Sequence, residues 1–202
     1  MAPARPVSIL LDEFIPHPAM RHRHQTRVRA PAAFVLETAR TYDLRSAPFV
    51  RAIFRLRAMI LGAKGQGTDW SRTFIEEMLK MGWGVLAEEK GRWVVMGTVC
   101  QPWTADVAMR PIPPDRFAAH SEPGQVKIIW TLEAEPLDDA VCQFSTETRA
   151  VGTDAEAQAR FRRYYRTFGV GMVLVRWLLL PAVRRAAERR WRAEAREKTP
   201  SF

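Results

Sequence analysis

Three histidines, two cysteines and one alternating charged run are the side chains of this 202-residue chain whose types and spacing suit chemistry. His22 and His24 alternate, so on a strand both project to one side, and imidazole is a common transition-metal ligand. His17 lies just upstream. No acidic or thiol side chain stands beside them at a metal-binding spacing, although Asp12 and Glu13 can fold back. An exposed strand start carrying histidines is the simpler reading, and neither a metal nor a cofactor is assigned. Cys100 and Cys142 fall inside strand-like runs with no histidine nearby in sequence to activate a thiolate. Both read as buried free thiols acting as small hydrophobes, with a disulfide open if their strands pair. Lys64-Gly65-Gln66-Gly67 lacks the surroundings of a phosphate-binding loop and reads as a turn. No catalytic residue is assigned.

The bulk numbers bound what these residues can belong to. With 47% hydrophobic residues the chain can bury a full core without disulfides or metal. Its net charge of +9 is carried almost wholly by arginine. A basic surface attracts nucleic acid or anionic lipid, but the arginines are spread over most of the chain. Nucleic acid is therefore disfavoured as a partner, and an anionic membrane surface is retained as one. Oligomeric state is not readable. Met1–Pro6 runs only briefly into Ile9-Leu10-Leu11 before Asp12-Glu13, which is no secretory leader, so a cytoplasmic location is the expectation. The apolar run at 170–180 is short of the ~20 residues that span a bilayer. Arg176 interrupts it, so a buried helix is expected.

The elements that must position these groups follow from pattern. Residues 1–19 hold Pro3, Pro6, Pro16 and Pro18 and read as an extended N-terminal arm. A strand begins near Arg21, and Pro31 opens a helix with Phe34, Val35, Ala39 and Tyr42 at helical spacing. Ser46 caps a second helix ending at Gly62, and Ser71 a short third one. Strands follow at 83–89 and 92–101. A proline-rich loop at 105–122 contains one helical turn near 115–119. Two longer strands come at 125–135 and 140–151. From Asp154 a long helix carries the stripe Phe161, Tyr165, Phe168, Met172, Val175 and Leu179. Gly169-Val170-Gly171 and Pro181 are expected to kink it. Residues 20–192 form one domain and 193–202 a tail.

Side-chain pattern also constrains the last hairpin. Val126, Ile128, Trp130, Leu132 and Ala134 share a face only with Cys142, Phe144, Thr146 and Thr148 if paired numbers sum to an even value, as with Ala134 opposite Cys142. The other face, with Lys127, Glu147 and Arg149, is expected to meet water.

A strand, two helices, antiparallel strands and a long final helix make an α+β layout. It resembles the helix-grip fold of the SRPBCC superfamily, a curved antiparallel β-sheet wrapped around a long C-terminal α-helix. That superfamily includes START lipid-transfer domains, birch-pollen-allergen proteins and polyketide cyclases. Four stretches are similar to a bacterial branch of it. They are residues 24–31 (HQTRVRAP), 86–89 (LAEE), 145–149 (STETR) and the arginine-rich end after Pro181, together covering about residues 20–192. None is a catalytic signature. The resemblance implies an apolar ligand cavity between sheet and final helix. Its expected lining is Trp130, Leu132, Phe144, Thr146 and Thr148, with Val95 less central, and from the helix Phe161, Tyr165, Phe168, Met172, Val175 and Arg176. The expected function is binding or carriage of a hydrophobic or amphipathic small molecule of lipid or polyketide character. The alternatives are a cyclase or aromatase using the same cavity, and peripheral membrane association through the basic C-terminal helix.

Overall fold

The computed structural model describes residues 7–43, 52, 59 and 73–197, and at 171, 172, 175 and 176 the backbone alone. Its elements in chain order are α1 (Val7–Phe14), β1 (Met20–Val28), α2 (Ala32–Arg40), α3 (Phe74–Lys80), β2 (Gly84–Glu89), β3 (Trp93–Cys100), α4 (Pro114–Phe117), β4 (Val126–Asp138), β5 (Val141–Gly152) and α5 (Ala155–Glu197). The five strands form one antiparallel sheet in the order β1-β5-β4-β3-β2. Bulges between Val85 and Ala87 and between Pro136 and Asp138 bend it. One face carries α2 and α5. The architecture is α+β, an open curved sheet gripping a long C-terminal helix.

Each sheet face closes its own core. On the helix side Val28, Val94, Met96, Trp130, Leu132, Phe144 and Cys142 pack with Leu36, Phe161, Tyr164 and Leu180. On the far side Leu86, Val95, Val99 and Ile129 pack with Phe117 and with Val7, Leu11 and Phe14 of α1. Residues 1–19 are thus not an extended arm throughout. The prolines at 6 and 16 bracket a proline-free run whose Val7, Leu11 and Phe14 recur at helical spacing, and burial of that stripe supports a helix. Val95 belongs to this far core and does not line a cavity under α5.

The hairpin has the even parity expected from the sequence, but in a different register. Ala134 faces Phe144, and Cys142 faces Pro136. Both cysteines are buried and free. The short third helix is capped by Thr73, whose backbone N–H and hydroxyl both donate to the Glu76 carboxylate at 3.0 and 2.8 Å. The caps expected at Ser46 and Ser71, and the second helix apart from Ala52 and Met59, lie outside the described residues.

α5 runs as one helix through both expected kinks and on to Glu197, so residues 193–197 are helix, not tail. Its 43 residues extend about 65 Å. Pro181 sits inside it, between Leu180 and Val183, both buried in the core. Their packing holds the helix where the missing hydrogen bond weakens it. Asp154 caps its start: the Ala157 N–H donates to Asp154 Oδ1 at 2.8 Å, and the Gly124 N–H donates to Oδ2. These backbone bonds hold the Asp154 carboxyl below its ordinary pKa.

Candidate functional site

Strand alternation and register set the helix-facing surface of β1, β5 and β4 in rows. His22 lies opposite Thr148, which lies opposite Trp130. His24 lies opposite Thr146, and the register on either side puts Leu132 next to it. Thr26 and Phe144 follow, with Ala134 beyond. The rows are polar on β1 and at Thr146 and Thr148 of β5, and apolar at Phe144 and along β4.

α5 crosses above the polar ends. The Tyr165 hydroxyl hydrogen-bonds His22 Nε2, with ring centroids 5.6 Å apart. His24 meets the edge of Trp177 at 6.5 Å. Gly169 makes room for Tyr165, because a Cβ there would stand 2.8 Å from the phenol ring. Thr146 is 2% exposed, and its Oγ1 has no hydrogen-bond partner among the described residues. A buried hydroxyl left unpaired costs about 1–3 kcal/mol, so this group is set up to receive a partner.

Deeper between sheet and helix lies a void of about 10 Å³, lined by Ala39, Tyr42, Phe74, Leu132, Phe144 and Leu180 among others. That is room for about one water, against roughly 300–1,000 Å³ for a ligand pocket. Among the described residues the expected cavity is closed. Trp130 is buried edge-on against Phe74 at 5.2 Å, Phe144 is 1% exposed, and Phe168 stacks on Tyr164 at 5.0 Å. Tyr42 and Phe74, both on the void, bracket residues 44–72, and Asp43 bridges Thr73 beside them. Burial raises the pKa of the Tyr42 hydroxyl, against the opposing pull of Arg189 and Arg185. Burial also pushes the Cys142 thiol up to about 11, which keeps it protonated and unreactive.

Of the residues expected to line the cavity, Trp130, Leu132, Phe144, Thr146 and Thr148 occupy the helix-facing rows, and Phe161, Tyr165 and Phe168 pack against the same core. The side chains of Met172, Val175 and Arg176 lie outside the described residues. From the sequence, His22 and His24 read as an exposed strand start or as metal ligands, which misses their place under α5. The signal was there: both share strand parity with Val28, whose apolar side chain marks the buried face.

Glu147 and Arg149, expected on a face that meets water, instead lie 4% and 1% exposed beneath α1. Arg149 Nε donates to Glu147 at 2.7 Å, and Nη1 pairs with Asp12 of α1. Glu147 also pairs with Arg21 at 2.8 Å. Burial works against the Arg149 charge, but the hydrogen bonds to Glu147 and Asp12 outweigh it and keep its pKa high. Arg149 pairs across the sheet with Ile129, and Lys127 turns instead to the Ala118 carbonyl. The motif 145–149 therefore divides by face: Ser145, Glu147 and Arg149 lie on the far face, where Arg149 binds Asp12 of α1, and Thr146 and Thr148 face α5.

No protein-family model matches the chain, and no curated protein matches it. Among solved structures, a Thermobifida fusca structural-genomics protein determined by solution NMR is similar at TM-score 0.38 and 16% identity, over 84% of this chain and 93% of that one. The crystal structure of the Zhui aromatase/cyclase from Streptomyces sp. R1128 is similar at TM-score 0.30 and 16% identity, over 85% of this chain and 94% of that one. Overlaps this loose carry nothing about the site. The helix-grip arrangement rests on the strand order, register and helix placement of this chain itself.

Proposed function

We propose that the protein binds a small amphipathic molecule between the sheet and α5, with its polar end at His22, Tyr165 and Thr146 and its apolar end at the void by Leu132 and Phe144. The observation that carries this is the buried Thr146 hydroxyl, without a partner among the described residues, in a polar corner next to the apolar Leu132 and Phe144 that line the void. Ligand sites combine apolar walls with a few placed polar groups in this way. Entry requires the side chains around the void to change rotamer, and burial of the ligand's hydrocarbon offsets that at about 25 cal/mol per Å². Native mass spectrometry of the purified chain, followed by extraction, tests the reading. It predicts one bound apolar compound, or one adduct when decanoate is added; a bare polypeptide in both cases contradicts it.

A second reading is favoured by one specific observation. His22 and Tyr165 are titratable, hydrogen-bonded to each other and directed under α5, as an acid–base pair for a cyclase-type reaction requires. Tyr165→Phe separates the two. An enzyme turns over the extracted compound and loses that turnover in the variant, whereas a carrier shows no turnover in either form and binds somewhat more weakly without the phenol hydroxyl.

A further inference from the structure

We infer that the solvent face of α5 docks on an anionic lipid bilayer, with Val170, Leu174 and Trp177 entering the interface and arginines meeting the phosphates. Arg163, Arg166, Val170, Leu174, Trp177, Pro181 and Arg184 are spaced three or four residues apart, so they form one line along the helix. All seven are exposed. The apolar members stand well out of the protein: Val170 is 75% exposed, Leu174 44% and Trp177 66%.

The opposite side of the same helix buries Phe161, Tyr164, Leu180, Val183 and Ala187 in the core. The outward apolar line is therefore additional to what folding uses. Among the described residues no helix is long and apolar enough to cross a membrane, so the geometry is that of a helix lying in the interface plane.

Charge selects the occupant. Residues 157–187 contain seven arginines and no aspartate or glutamate. A second copy of this helix would bring like charge against like charge. A nucleic acid would match the arginines but leave the apolar centre of the line without a partner. An anionic bilayer answers both, since its phosphates take the guanidinium groups and its acyl boundary takes the tryptophan, leucine and valine. This inference stands whatever the site beneath the helix holds.

Flotation of the full chain with vesicles of equal parts phosphatidylcholine and phosphatidylglycerol, against phosphatidylcholine alone, tests it. Binding is expected to the anionic vesicles only, weakening as salt rises. Val170→Ser/Leu174→Ser leaves Trp177 on His24 and is expected to bind at least about tenfold more weakly with its melting temperature unchanged. Arg163→Gln/Arg166→Gln is expected to lose about as much. Wild-type indifference to anionic vesicles, or full binding by the serine variant, would overturn the inference. So would a dimer in sedimentation that the serine variant abolishes, because the line would then be an interface between copies.

Discussion

Thr146 and Gly169 act on the same corner in opposite ways, one by leaving a group unpaired and the other by leaving out a methyl. Thr146→Val removes a buried hydroxyl that has no hydrogen-bond partner among the described residues. Stability in urea is expected to rise by about 1 kcal/mol, while affinity for a polar-headed ligand falls. A drop in stability would mean that the hydroxyl is already satisfied. Gly169→Ala gains about 1 kcal/mol of helix propensity, but its methyl pushes the Tyr165 ring aside. Because that ring is the movable end of a side chain, the expected outcome is nearly unchanged stability and a clear shift of the His22 imidazole resonances. Unmoved His22 signals would show that the tyrosine contact does not depend on the glycine.

The elements explain why the charged motif of β5 is structural. Glu147→Gln leaves Arg149 buried with Asp12 as its remaining acidic partner, so a loss of about 3–5 kcal/mol is expected. Faster amide exchange in α1 than in the strands should accompany it. Asp154 gives α5 a pH dependence of known sign. Its pKa is held below the ordinary carboxylate value, so its contribution is present above that range and is lost as pH falls through the folded pKa. Asp154→Asn is expected to flatten the acid limb of the stability profile and leave the alkaline limb alone. At this scale the sequence was informative about strands and helices, because alternation and helical spacing are local. It placed β4, β5 and α5 closely and assigned the hairpin parity. What covers the far face was not legible: Arg149 and Asp12 are 137 residues apart, and no local pattern couples them. The prolines around α1 pointed to an extended arm because the short apolar stripe between them becomes a helix only when it has a sheet to pack on. Likewise the glycines and Pro181 weaken α5 locally, yet tertiary packing carries it through them as one continuous helix.

At the scale of the whole molecule, one sheet serves two layers, and one helix serves two tasks. The inward side of α5 closes the core and the polar corner, and its outward side carries the apolar line between arginines. Of the side chains expected to line a cavity, those described, Val95 apart, face the sheet–helix core, and among the described residues the void there is about 10 Å³. Residue types show which groups face one another, while the space left between them depends on rotamers and helix position that no spacing rule specifies. The central claim is that the polar corner and the void accept one amphipathic molecule together. Titration of the isotope-labelled 23.1 kDa chain with decanoate, followed by heteronuclear NMR, tests this most directly. Saturable shifts are predicted at His22, His24 and Thr146 together with Leu132, Phe144 and Leu179. Shifts confined to Val170, Leu174 and Trp177, or no saturable shifts, would contradict it.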